Sequence, residues 1–165
     1  ERPFYNEFSK NQTADRAANR INRALDNNKD NEAKIAEYER ISTELLKWIN
    51  TNSDNFASYK PENDSTQDLV NKIGDMSKFR TEEKPPKSKD RATLENLANA
   101  IRTKRQLQNM PDYNPIKGRS IDEINQAWGK LNEYERTLLE RLLFLLREAL
   151  QVENLLKRFY SNGRS

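Results

Sequence analysis

Three acidic residues close together in the chain, Asp26, Asp30 and Glu32, form the pattern that most nearly suggests metal chemistry. An EF-hand calcium loop supplies oxygen ligands over twelve residues, with a glycine at the sixth position and a glutamate at the twelfth. Counting from Asp26, the twelfth residue is Glu37, but the sixth is Asn31 and the stretch has the composition of a helix. We therefore predict no metal site and no cofactor in this chain.

Most of the side chains that enzymes use for nucleophilic or acid–base catalysis are missing. The 165 residues include no cysteine and no histidine, which removes thiolate nucleophiles and disulfides as well as the commonest general base and metal ligand. Carboxylate catalysis would need two buried acids that face each other, and only Glu135 occupies a position on an apolar stripe. A single polar group at such a position more often fixes helix register. We predict that the chain is not an enzyme and has no catalytic residues.

Charge is distributed unevenly, although the net charge is only +3. Residues 26–44 contain six acids and three bases, whereas residues 78–105 contain nine bases and four acids. The basic segment could be a solvated helix face, could pair with the acidic segment of an antiparallel second copy, or could bind nucleic acid or anionic lipid. Its one aromatic residue, Phe79, lies on an apolar stripe instead of forming a stacking platform. We therefore expect no nucleic acid binding.

Long helices must position these side chains, because apolar residues recur at intervals of three and four along most of the chain. The pattern predicts three helices at about 32–59, 65–109 and 120–160. An exposed neck helix over 10–31 is expected before them, starting after a capping-box spacing at Ser9. The hydrophobic share of 34% suits a narrow bundle whose core is a seam, and the apolar runs are far shorter than the roughly 20 residues that span a bilayer.

The apolar stripes of the three helices are expected to meet in one core. Trp48 and Trp128 are in phase with their stripes, so we interpret them as core residues and not as anchors for a partner. The predicted core residues are Ile35, Leu45, Trp48, Leu69, Ile73, Met76, Leu97, Ile101, Ile124, Trp128, Leu131, Leu138, Leu142 and Leu145.

Two prolines, Pro85 and Pro86, interrupt the stripe of the second helix. A proline inside a helix removes a hydrogen bond and clashes with the preceding turn, at a cost of about 3 kcal/mol or more. Two arrangements fit this pattern: two helices with a break, or one long helix over 65–109 that is kinked at Pro85 and Pro86.

The third helix carries a second apolar stripe beside its core stripe. A seven-residue repeat sustained from Ile121 to Phe159 is typical of left-handed coiled-coil packing, but one seam does not account for every apolar residue between Leu138 and Leu150. Because a contiguous exposed apolar patch usually marks an interface, part of this segment is expected to contact a second chain. The candidate interface residues are Leu139, Leu143, Phe144, Leu146 and Leu150.

Several segments of the sequence resemble the first spectrin-like repeat of alpha-actinin and the neck before it. The fairly specific segments are KPPK at 84–87 and SIDEINQAWGKL at 120–131, with ELLKWI at 44–49. ANRINRALDNNKDNE at 18–32 is similar to the family's neck, and FYNEF at 4–8 resembles the end of its second calponin-homology domain. The resemblance covers almost the whole chain, in the same order.

This resemblance implies a fold, a larger parent protein and a place in the cell. The expected fold is an all-α, elongated, left-handed three-helix coiled-coil bundle over 32–162, after a neck at 10–31 and the tail of a calponin-homology domain at 1–9. The chain, which begins at Glu1, is expected to be a fragment of a cytoplasmic protein of the actin cytoskeleton.

The same resemblance implies the function and the partners. The expected function is that of a rod, or spacer, and dimerisation segment that separates and orients actin-binding heads in an actin-cross-linking protein. The expected partner is a second copy, in antiparallel orientation, and actin would bind through neighbouring domains. Calcium would bind, if at all, to EF-hand domains of the parent protein. The alternative is a membrane-binding helical dimer that uses the basic face of the second helix, although we do not expect membrane contact.

Overall fold

The computed structural model describes residues 2–163, with side chains from residue 7 onward, and this part of the chain is helical and contains no β-strand. Four α-helices follow one another: α1 (Arg2–Ser58), α2 (Thr66–Lys78), α3 (Lys84–Leu107) and α4 (Ile121–Gly163). A 3-10 turn at Pro61–Asn63 connects α1 to α2, and a π-helical turn at Phe79–Glu83 connects α2 to α3.

Helix α1 is one continuous helix of 57 residues, which corresponds to about 85 Å at 1.5 Å per residue. The prediction that a helix starts near residue 10 is wrong. Ser9 already lies inside α1, and its carbonyl oxygen accepts a hydrogen bond from Thr13 Oγ1 at 2.9 Å. The physical reason is that no glycine or proline occurs between Pro3 and Ser58. Pro3 itself stands in the first turn, where its missing N–H has no helical partner to lose.

The second arm of the bundle runs from α2 through the π turn into α3 without leaving the helical path. Ser65 caps α2, because its hydroxyl accepts the backbone N–H of Asp68 at 3.1 Å. The irregular turn precedes the prolines, and the backbone N–H of Lys84 bonds to Phe79 O, five residues back. Pro85 and Pro86 then occupy the first turn of α3. A wider turn moves the carbonyls with which their rings would clash.

The elements form a three-helix bundle with an up, down, up path. Helix α1 packs against both α3 and α4, and α2 packs against α4, whereas α3 touches α4 only sparsely. Helix α4 begins at a capping pair, in which Ser120 Oγ accepts the backbone N–H of Glu123 at 3.2 Å and donates to its carboxylate at 2.9 Å. The hydroxyl and the carboxylate therefore bond to each other, whereas in a capping box the carboxylate would accept from the backbone N–H of the cap.

One apolar core runs along the seam of the bundle. Nine of the predicted core residues are buried, namely Leu45, Leu69, Met76, Ile101, Ile124, Trp128, Leu131, Leu138 and Leu142. The other five are partly buried and pack against that core, namely Ile35, Trp48, Ile73, Leu97 and Leu145. Further buried positions on the same stripes are Tyr38, Ile41, Ile49, Phe56, Phe79 and Leu94. The fold is therefore an all-α three-helix bundle of the spectrin-repeat kind.

The apolar stripes continue beyond the bundle at both ends, where no second helix covers them. On α1, Ile21 and Leu25 are exposed, and on α4, Leu156 and Phe159 are exposed to 51% and 72%. Ile21 and Leu25 belong to the segment 10–31, which was predicted to be an exposed neck, whereas Leu156 and Phe159 lie on the predicted stripe of the third helix. Leu156 and Phe159 are uncovered because α2 begins at Thr66, level with residue 153 of α4, so that the last ten residues of α4 extend past it.

Candidate functional site

An aromatic cluster fills the middle of the bundle. The Trp48 ring stacks on Phe79 at a centroid distance of 5.4 Å and lies 6.1 Å from the Trp128 ring. Phe56 meets Phe79 edge to face at 4.9 Å. Such pairs contribute about 0.5–1.5 kcal/mol beyond their buried area. Both tryptophans therefore hold α1 to α4 and to the π turn.

Basic residues of α3 lie against these tryptophan rings. The ammonium of Lys84 and the guanidinium of Arg91 lie 5.6 and 5.0 Å from the centroid of the Trp128 ring. The ammonium of Lys87 lies 5.9 Å from the Trp48 ring. Cation–π contacts of this kind stabilise by about 0.5–1 kcal/mol at exposed sites. Part of the basic segment therefore packs against α4, where α3 and α4 otherwise have few contacts. The composition of the segment did not reveal this role.

Glu135 lies in the core, with 2% of its side chain exposed, and it has two basic partners. Its Oε1 accepts from Arg80 Nε at 2.9 Å, and its Oε2 accepts from Lys84 Nζ at 2.8 Å. Lys84 also donates to Asn132 Oδ1. Arg80 belongs to the π turn and Lys84 follows it directly. The position of the charge on the seam was recognised in the sequence, but its partners, which are more than fifty residues away, were not.

The end of the bundle near the α3–α4 loop is held by two tyrosines. Tyr38 donates to the carbonyl oxygen of Arg119, and Tyr113 donates to the Glu39 carboxylate at 3.0 Å. Burial, with a smaller effect of the Glu123 charge, raises the pKa of Tyr38 to about 12. Burial and the hydrogen bond to Glu39 raise the pKa of Tyr113 to about 12.

The acidic and basic segments lie side by side at this end, within one chain. Lys104 on α3 and Lys34 on α1 both bond to the Asp30 carboxylate, and these two bonds, Lys104 first, lower its pKa to about 2. Asn31 donates to Gln108 Oε1 at 2.9 Å. Some of the charge that could have paired with a second copy is therefore paired within the chain.

The described residues carry neither of two features that would suggest another class of site. Over residues 2–163, no group of three or more acidic side chains is arranged to hold a metal ion. Within the same range, no helix combines the length and the hydropathy needed to cross a membrane.

The candidate interface on α4 divides into two parts. Leu139 and Leu146 are half-buried and pack against the bundle's own core, because each helix of a three-helix bundle has two neighbours to contact. Leu143, Phe144 and Leu150 are exposed to 45%, 53% and 45%. The structure therefore narrows the exposed apolar surface on this part of α4 to these three residues.

One exposed apolar residue of α2 lies at the level of that surface. Val70 is 46% exposed. The hydrogen bonds from Thr66 to Glu153 and from Arg80 to Glu135 fix the antiparallel register of α2 and α4. In this register Val70 is level with the region of α4 just before Leu150. We call Val70, Leu143, Phe144 and Leu150 the α2–α4 apolar surface.

Comparison with known proteins places the bundle in a family. No family model matches the chain. Over 156 residues it is 36% identical to alpha-actinin-1 of Rattus norvegicus, 35% identical to alpha-actinin-1 of Gallus gallus and 34% identical to alpha-actinin-4 of Rattus norvegicus. Each match covers 94% of this chain but only 17% of the relative, so the chain spans about a sixth of the length of these curated relatives. With this similarity and this three-helix bundle, the chain belongs to the alpha-actinin family, as a segment of the rod.

Proposed function

We propose that this chain is the spacer and dimerisation segment of an actin-cross-linking protein of the cytoplasmic actin cytoskeleton, in which it separates and orients actin-binding heads. The observation that carries this proposal is that α1 and α4 extend beyond the bundle at opposite ends, each as a continuous helix. A helix that continues past its own bundle transmits position and orientation along a rod.

The proposal divides the chain into three parts, on the pattern of the family that it resembles. Residues 1–9 would belong to the end of a calponin-homology domain, 10–31 would form the neck, and 32–162 would form the repeat. The side chains of residues 10–30 are exposed, and Asp30, at the end of this segment, forms an ion pair with Lys104 of α3. Actin would bind through neighbouring domains, and calcium would act only through EF-hand domains of the parent protein.

Self-association is the second part of the proposal. The α2–α4 apolar surface exposes three large side chains on α4 and one on α2, and an uncovered apolar patch of this kind favours contact with another chain. An antiparallel arrangement of two copies would place one head at each end of the pair. Cross-linking of two filaments requires this separation of heads.

Size-exclusion chromatography with light scattering tests the dimer, and small-angle X-ray scattering tests the rod. We expect a dimeric mass and an elongated particle. A monomeric mass at high micromolar concentration would remove dimerisation from this segment and leave the spacer role. A compact, near-spherical particle would remove the spacer role as well. Salt-sensitive co-sedimentation with anionic vesicles would favour a membrane-binding dimer instead.

A further inference from the structure

A recess between the second arm of the bundle and α4 is lined by basic residues. Its volume is about 610 Å³, and its walls include Arg80, Lys84, Ser88 and Lys89 on one side and Trp128 and Asn132 on the other. No carboxylate lines it within the described chain. We call it the basic cleft.

Positive charge remains in the basic cleft after internal pairing. Arg80, Lys84 and Lys89 line it with three positive charges, and the buried carboxylate of Glu135, which pairs with Arg80 and Lys84, supplies one negative charge, which leaves two. The Arg80 side chain is 52% exposed and uses its Nε–H on Glu135. Its four remaining N–H groups can bind a carboxylate in the bidentate manner that guanidinium favours.

The basic residues are held in place, so little order is lost when an anion binds. The ion pairs to Glu135 fix Arg80 and Lys84 at the π turn, and the Lys84 ammonium also contacts Asn132 and Trp128. Side chains fixed before binding reduce the entropic cost of association. Lys89 is exposed on the next turns of α3, nine residues from Arg80, which corresponds to about 13 Å along a helix.

We propose that the basic cleft binds an acidic peptide segment of another protein. The charge complementarity requires carboxylates, and the spacing of Arg80 and Lys89 fits two carboxylates separated by two to three helical turns, or by about four residues of extended chain. A membrane fits less well, because a flat lipid surface contacts protruding side chains and would not reach a recessed one. Lys84 is recessed, with 18% of its side chain exposed. Nucleic acid fits less well, because Lys84 and Arg91 already lie over the Trp128 ring, where a base would stack.

Fluorescence anisotropy with the 165-residue chain tests this proposal. The probe is a labelled, helix-forming, glutamate-rich peptide of about 12 residues, long enough to reach both Arg80 and Lys89, with a glutamine-for-glutamate peptide as its control. We expect saturable binding of the glutamate peptide that weakens with salt, and no binding of the glutamine peptide. Lys89→Glu should weaken binding by about five- to tenfold. Arg80→Lys keeps a positive charge beside Glu135 but loses the pair of N–H groups with which a guanidinium binds a carboxylate. It should weaken binding about threefold.

Lys130→Glu is the matched control, because Lys130 is an exposed base on α4 that does not line the basic cleft. It should leave affinity within about twofold of the unchanged chain. Equal losses for Lys89→Glu and Lys130→Glu would show non-specific attraction and overturn the proposal. It would also be overturned if Lys89→Glu dissociated a dimer of this chain, since a second copy would then be the occupant, or if phosphatidylserine vesicles displaced the peptide, since lipid would then be the ligand.

Discussion

Lys84 and Glu135, which are 51 residues apart in the chain, form an ion pair of 2.8 Å in the core of the bundle. The same ammonium bonds to Asn132 and lies 5.6 Å from the centroid of the Trp128 ring. One side chain therefore connects the end of the π turn to three residues of α4. Breaking this contact should loosen the second arm of the bundle from α4.

Glu135→Gln should destabilise the bundle by about 2–4 kcal/mol. A neutral amide leaves the half-buried Lys84 ammonium without its counter-charge, and removal of one partner of a buried ion pair is costly. Arg80→Gln should cost only about 1 kcal/mol or less, because Arg80 is 52% exposed and the carboxylate keeps Lys84. Urea unfolding followed by circular dichroism measures both values.

The double change Glu135→Leu with Lys84→Met provides the control for this prediction. Replacing both buried charges with apolar groups of similar size should recover most of the stability that Glu135→Gln loses. A cost below about 0.5 kcal/mol for Glu135→Gln would contradict this prediction and show that the ion pair contributes little to the stability of the bundle.

Pro85→Ala should change the free energy of unfolding by less than about 1 kcal/mol, although a proline within a regular helix costs about 3 kcal/mol. Pro85 stands in the first turn of α3, after a π turn in which Lys84 N–H already bonds to Phe79 O. Urea unfolding of Pro85→Ala beside Ala92→Pro, a proline placed further along α3, compares the two positions. A gain of about 3 kcal/mol for Pro85→Ala would show that the prolines strain the helix.

The bundle should lose stability in alkaline solution between pH 10 and about pH 12. Tyr38, Tyr59 and Tyr113 have pKa values raised from 10.0 to about 12, by burial first at Tyr38 and Tyr113 and by the Asp64 hydrogen bond first at Tyr59. A pKa that is raised by folding contributes stability that is fully present below pH 10 and is lost as the pH rises through 12.

Phenolate absorbance and helicity, followed together, check this prediction. Part of the phenolate signal should appear late and together with the loss of helicity. Tyr113→Phe should reduce the late part of the signal. A single titration of all six tyrosines near pH 10, with helicity retained, would contradict it.

Leu143→Glu should weaken self-association while helicity is retained. The Leu143 side chain is 45% exposed in the single chain, so a carboxylate there stays in water until a second copy covers it. Light scattering after chromatography measures the mass. Leu142→Glu is the opposite control, because Leu142 is fully buried and a charge there should unfold the bundle. Loss of helicity in Leu143→Glu would show that this residue belongs to the core.

The sequence predicted which face of each helix is buried, because that face follows from the helical period alone. Leu131 and Leu142 lie on the stripe of the third helix, and both are 0% exposed. The period does not reveal whether a second helix lies opposite the stripe. Leu156 continues the same stripe and is 51% exposed, since α2 does not extend that far.

The partners of Glu135 could not be predicted from periodicity, because the helical period does not tell which residues of a distant helix lie opposite a given position. Arg80 and Lys84 are four residues apart, so they lie on the same side of the second arm and reach one carboxylate. They also flank an irregular turn, whose extra residue shifts the later side chains around the helix axis. Only Pro85 and Pro86 indicated an irregularity there. The start near Ser9 was wrong for another reason: a capping-box spacing also occurs by chance inside a continuous helix, where it caps nothing.

Because α1 is unbroken, its length in residues sets both the distance and the rotation angle about the helix axis between the bundle and a domain attached near residue 10. Each residue of an α-helix advances the azimuth by about 100°. One residue inserted at the exposed Asn27 would therefore swing an attached head a quarter-turn or more around the axis while moving it only about 1.5 Å. Seven inserted residues would nearly restore the azimuth, to within about 20°, and move the head about 10 Å further out.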